Sequence, residues 1–214
     1  AWPILKKEKI PFILFVSTRE VGSFNYMNWD QIREISQSEL AEIGNHSHSH
    51  EYLVDESSEE IKKDLQKSIK IFEDKLGKNS EFFSYPFGEY SLEFKKLIKE
   101  LGFKYAFGQH SGVIDETKDV LELPRFPINE KYGEIERFKT LIKTLPFKYK
   151  NIFPEERYLL QSKNPPKVKV EFYENIKNLN QINCFSNEGN KWRNSKISFV
   201  KKDVLEIDIS EKFI

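Results

Sequence analysis

The sequence predicts an α/β fold with a parallel sheet, followed by a small antiparallel β module. Three observations carry this. Pro11 to Thr18 is a continuous apolar run, the pattern of a strand buried on both faces. Strand and helix patterns then alternate as far as Phe107, with helices long enough for right-handed crossovers. After about Pro146 the texture changes to prolines and short alternating runs.

The elements follow in order. Ala1 to Lys7 reads like the later part of a helix. Trp29, Ile32 and Ile35 recur at helical spacing, and Leu40 and Ile43 lead into a short strand that ends near His46. Ser57 to Glu60 has the form of a capping box. Ile61, Leu65, Ile69, Phe72 and Leu76 continue from it as one apolar stripe, and Gly77 suits the C′ position. Glu81 to Tyr85 is a short aromatic strand, broken by Pro86-Phe87-Gly88. A helix from about Ser91 to Leu101 and a strand from Phe103 to Phe107 complete the first part. Beyond a linker over 148–166, the runs 168–172, 182–185, 197–200 and 204–209 predict about four strands. Asn187-Glu188-Gly189-Asn190 is a turn signal among them. The chain stops directly after a strand, so the module is expected to lack its last strands.

Composition excludes several classes. Thirty-four basic and thirty-four acidic residues cancel, which gives no footprint for nucleic acid. One cysteine rules out an intrachain disulfide. No apolar run reaches transmembrane length, and no signal-peptide pattern opens these residues.

Three of the four histidines stand at alternate positions in Gly44-Asn45-His46-Ser47-His48-Ser49-His50-Glu51. If the chain curls helically after His46, His46 and His50 share a face and His48 points elsewhere. Two neutral imidazoles so placed suit zinc or another borderline divalent metal. The plain alternative is a polar loop whose histidines only cap and solvate. This stretch, Pro86-Phe87-Gly88 and Gly108-Gln109-His110 all fall at the C-terminal ends of strands, where such sheets build their sites.

These residues resemble the polysaccharide deacetylases of the NodB-homology type. The family's His-Ser/Thr-x-x-His motif is met by His46 to His50 with a Gly44-Asn45 lead-in, and its Pro-aromatic-Gly motif by Tyr85-Pro86-Phe87-Gly88. Trp29 to Ile32 is similar to the stretch that precedes the histidine motif, and the likeness runs from Ala1 to about Phe147. The resemblance implies a distorted, incomplete β/α barrel over 1–147 and a metal-dependent hydrolase that removes N-acetyl groups from a polysaccharide or envelope sugar. It implies a divalent metal, zinc, on His46 and His50, an N-acetylated glycan as partner, and a cell-envelope or periplasmic setting.

The resemblance also distributes roles. Phe87 contributes its backbone N–H to an oxyanion hole. Tyr85, Pro86 and Gly88 meet the substrate, with Trp29, Tyr85 and Phe87 as rings that can stack on sugars, although core packing is the favoured role for Trp29. The family's late catalytic histidine falls to His110, with a plain loop histidine as the alternative. Ser84 stands where many members carry an arginine, and Arg125 is the candidate replacement, with a surface ion pair as the alternative. The family's Thr-Phe-Asp-Asp strand end should lie upstream of a segment like Ala1 to Lys6. The resemblance therefore implies an N-terminal truncation, and residues 1–214 alone are expected to lack deacetylase activity. The competing class is a non-catalytic carbohydrate-binding or structural relative of the same fold.

Overall fold

The run 11–18 forms β1 (Phe12–Val16), which heads a four-stranded sheet. β2 (Ala41–Asn45), β3 (Phe82–Ser84) and β4 (Tyr105–Phe107) come next in sequence order, all parallel. The computed structural model describes residues 1–174, 176–188, 191–209 and 211–213. They fall into two units, Ala1–Ile114 with Lys118–Ile142, and Asp115–Thr117 with Lys143–Ile214.

In the first unit, α1 (Trp2–Lys7) precedes β1, and α2 (Trp29–Ser36) links β1 to β2. α3 (Ser58–Leu76) links β2 to β3, and α4 (Leu92–Glu100) links β3 to β4. Ser57 caps α3 by accepting the Glu60 N–H at 3.3 Å, and Gly77 closes it at φ 79°. The fully reciprocal box belongs to α2, between Asn28 and Gln31. α5 (Ile135–Leu141) was not expected; Ile135, Phe138 and Ile142 recur there at helical spacing, yet all three are exposed. Among the described residues no helix is long and apolar enough to cross a membrane.

The core lies between the sheet and its crossover helices. Phe83, Tyr85, Phe94, Leu65 and Ile98 are fully buried there. Trp29 packs edge-on against Phe72, 6.2 Å between centroids, which is a core role. The sheet is distorted at its centre. β2 and β3 pair at one position, Asn45 with Phe83, and a cavity of about 760 Å³ separates their earlier halves beside Phe72 and Leu76. Residues 120–125 then run beside β4. Leu123 bridges Phe107 in parallel, and Arg125 N–H donates to the His110 carbonyl at 3.0 Å.

The second unit is an antiparallel sheet in the order β5 (Asn151–Phe153), β6 (Val168–Glu171), β9 (Val204–Asp208), β8 (Lys191–Lys201), β7 (Cys184–Glu188). It has five strands where about four were expected, because β5 lies in the segment read as a linker. Its core joins Val170, Phe172 and Leu205 with Ile152, Ile197 and Ile207. Gly189 and Asn190 of the expected turn lie outside the described residues.

One close approach ties β1 to the strand that carries the histidine stretch. Phe15 is the register partner of Gly44, and a Cβ on Gly44 would sit 2.3 Å from Phe15 Cδ1. The Phe15 ring is itself held against Phe107 at 5.6 Å and His46 at 6.4 Å. Gly44→Ala is therefore expected to destabilise the fold by about 1–3 kcal/mol, the usual cost of overpacking. A urea-unfolding midpoint unchanged from wild type would contradict this.

Candidate active site

His46 begins where β2 ends. Its N–H donates to the Val16 carbonyl at 3.0 Å, and its carbonyl accepts the Ser17 hydroxyl at 2.9 Å. Across the sheet its Nδ1 donates to the Ser84 carbonyl at 2.6 Å. A carbonyl only accepts, so the proton sits on Nδ1 and Nε2 keeps its lone pair. Burial pushes the His46 pKa down to about 4, opposed by the Ser84 bond and helped by the nearby charges of His50 and Arg125. The ring is neutral at physiological pH.

His50 returns to His46 edge-on, with ring centroids 4.7 Å apart. The return is not the helical turn that the spacing suggested. Ser47 and His50 both take positive φ, 68° and 53°, and the segment is a tight loop. Local polar groups compensate this. Asn45 Oδ1 accepts the Ser47 N–H at 2.9 Å, and Ser47 Oγ accepts the His50 N–H at 3.0 Å. His48 stands apart from the pair, its Nδ1 2.9 Å from Thr18 Oγ1. Glu51 pairs with Arg19 at 2.9 Å. A cavity of about 430 Å³ opens beside the pair, lined by Phe15, Val21, Tyr26, Met27 and Ser49.

The Pro86-Phe87-Gly88 turn closes the other side. The Phe87 ring is half exposed and lies 4.9 Å from His50 and 5.5 Å from Tyr52. Tyr52 carried no sequence signal, since a lone aromatic after a polar loop fits no motif. Phe87 takes φ 56°, and among the described residues its N–H donates to no group. Gly88 takes φ 78°, and a Cβ there would meet Gln109 Cβ at 2.4 Å. Tyr85, expected at the substrate, is wholly buried, and its hydroxyl donates to the Leu121 carbonyl at 2.9 Å. Pro86 and Gly88 are buried too. All three shape the turn and offer no side-chain surface to a sugar.

Arg125 and His110 part company. Arg125 is half buried, and its positive charge acts on His46. Among the described residues its guanidinium has no ion-pair partner, which does not fit a surface ion pair. His110 is exposed and folds back over Gly108, with its ring 6.3 Å from Tyr90. Ser84 Oγ and Asn45 Nδ2, buried at the same strand ends, have no hydrogen-bond partner among the described residues.

The donor set fits a divalent metal in part. His46 is neutral with Nδ1 occupied by a carbonyl, the usual arrangement of a ligand imidazole. Among the described residues, no group of three or more His, Cys, Asp or Glu converges.

Residues 1–106 match the family model described as polysaccharide deacetylase. The poly-β-1,6-N-acetyl-D-glucosamine N-deacetylase of Staphylococcus aureus is 31% identical over 156 residues, 67% of this chain and 52% of that protein. The enzyme of the same name from Staphylococcus epidermidis is 28% identical over the same span. The chain thus spans about half the length of these relatives. A Streptococcus pyogenes deacetylase, solved in complex with acetate, superposes with a TM-score of 0.61 at 21% identity, covering 67% of this chain and 63% of that one. IcaB from Ammonifex degensii gives 0.59 at 22% identity, covering 66% and 64%. These solved structures share the fold.

The depressed pKa of His46 has a measurable consequence in metal-free protein. The unfolded chain takes up this proton near pH 6.5, and the folded chain only near pH 4. The unfolded state therefore binds more protons in between, and stability falls as pH drops from 6.5 to 4. His46→Gln is expected to flatten that slope in urea unfolding with chelator present. Equal slopes in the two proteins would refute the assignment.

Proposed function

The chain belongs to the polysaccharide deacetylase family through residues 1–106, and on that premise we propose that it forms part of a metal-dependent hydrolase that removes N-acetyl groups from a polysaccharide. The names of its relatives support an N-acetylglucosamine glycan as the substrate class. One observation carries the reading: a neutral His46 whose Nδ1 is already engaged, with the His50 ring edge-on 4.7 Å away.

His46, through Nε2, and His50 would hold the metal, with zinc the favoured ion for neutral imidazoles. Bound there, it would supply Lewis-acid polarisation of the amide carbonyl. The rest of the chemistry is assigned to the chain. The Phe87 N–H is available to a developing oxyanion, at a turn fixed by Pro86. The unpaired Arg125 guanidinium favours a carboxylate or developing negative charge beside His46. The exposed Phe87 and Tyr52 rings offer an apolar edge to a sugar face. His110, turned over Gly108, is not assigned the proton transfer expected of it.

One observation favours the non-catalytic alternative, since no carboxylate among the described residues completes a three-donor cluster with the two histidines. The deciding measurement is metal content and acetate release by the full-length gene product on N-acetylglucosamine oligomers. We expect bound metal, and activity lost to chelator and restored by zinc. His46→Ala and His50→Ala should lose the metal, and His48→Ala should keep it. A full-length protein with neither metal nor acetate release would decide for the non-catalytic relative.

Arg125 has its own test. Arg125→Ala is expected to lower kcat by roughly 10²-fold with metal content unchanged, the scale of losing one positioned charge. A near-normal kcat with a lowered melting temperature would assign it a purely structural role.

A further inference from the structure

The loop between His46 and His50 is held from outside by the Thr18 and Arg19 N–H groups on its Ser47 and His48 carbonyls, by the Asn45 and Thr18 side chains, and by one carboxylate. Asp64, in the second turn of α3, accepts the His48 N–H at 2.8 Å through Oδ1 and the Ser49 N–H at 3.0 Å through Oδ2. These amides lie between Ser47 and His50, the two positions of positive φ. One turn further along α3, the fully buried Ser68 donates to Asn45 Oδ1 at 3.1 Å, the same atom that accepts the Ser47 N–H. Asp64 and Ser68 stand four apart and share a helix face. Lys62, Lys63 and Lys67 neighbour Asp64 in sequence, yet its carboxylate forms no ion pair among the described residues. Both of its oxygens are committed to the loop.

We propose that Asp64 is a positioning residue for the His46–His50 pair. His46 is fixed independently by Val16 and Ser84, while the placement of His50 depends on the path of residues 47–49. A bidentate carboxylate gripping two successive amides sets that path, and with it the approach of the two imidazoles. The inference rests on the proposed metal site only for its functional meaning. The clamp itself is a property of the metal-free protein.

Two readouts test it, using Asp64→Asn, which keeps the shape of the side chain but turns one acceptor into a donor facing an N–H. In metal-free protein, amide exchange at His48, Ser49 and His50 is expected to accelerate at least about tenfold, with amides of β1 and β2 unchanged. In the full-length chain, affinity for Co²⁺, read by its visible absorption, should fall roughly 10- to 100-fold, the usual cost of losing a group that orients a ligand. Asp64→Glu, which retains the carboxylate, should recover part of both and serves as the second variant should Asp64→Asn unfold. Loop exchange and Co²⁺ affinity both unchanged in a folded Asp64→Asn would overturn the proposal. A wild-type chain that binds no Co²⁺ would instead overturn the metal reading, and the exchange measurement would still decide the role of Asp64.

Discussion

The bond from His46 Nδ1 to the Ser84 carbonyl is the constraint on which the site depends. β2 and β3 pair at a single position, Asn45 with Phe83, so little ladder holds their ends in register. The 2.6 Å bond lies directly beyond that pair and spans the ends of both strands. It sets the tautomer of His46 and the height at which the Pro86-Phe87-Gly88 turn leaves the sheet. Phe15, lying over Gly44, packs on the same ring from the β1 side. His46 is thus fixed by three strands at once, while His50 is fixed by a loop and a helix.

This division of labour explains where the buried polar groups lie. Asn45, Ser47, Ser68 and Ser84 are all essentially fully buried, and all sit at the C-terminal ends of β2 and β3 or on the face of α3 above them. A packed interior admits such groups only when they are hydrogen-bonded. Here the bonds run into the backbone of the loop, which needs them because it carries two non-glycine residues at positive φ. The unpartnered Asn45 Nδ2 and Ser84 Oγ are the exceptions, and both lie at the same strand ends.

Much of this was legible in the residues. The continuous apolar run of 11–18, the stripe from Ile61 to Leu76 and the stop at Gly77 pointed to the parallel strand and its longest crossover, because an apolar run and a helical stripe have distinct periods. The expected burial of that strand on both faces is not met, since β1 is an edge strand and only Val16 of it is buried. The separation of His48 from the other two histidines was also readable. The loop conformation was not, since i, i+4 spacing is equally consistent with a helical turn and with a loop closed by side-chain bonds. Tyr85 misled for a related reason: an aromatic beside a motif looks like a ligand contact, but this ring packs inward against Phe83, Tyr90 and Phe94 and its hydroxyl donates to the Leu121 carbonyl. Asp64 and Ser68 were not singled out, because period alone cannot distinguish a polar residue that meets solvent from one that meets a loop. β5 lacked a signal because three residues are too few for a period.

Ser68 carries a consequence for how this protein tolerates change. It is a small hydroxyl, wholly buried, in the apolar stripe of a nineteen-residue helix. Replacement by alanine or a larger aliphatic residue is what selection for thermal robustness alone would favour there, since alanine has the higher helix propensity and apolar bulk adds to the core. Such a change would remove the donor that holds Asn45, and with it one anchor of the histidine loop. Robustness and the geometry of the histidine loop therefore pull in opposite directions at this position. A fully apolar α3 would keep the helix and its packing while loosening the loop that places His50.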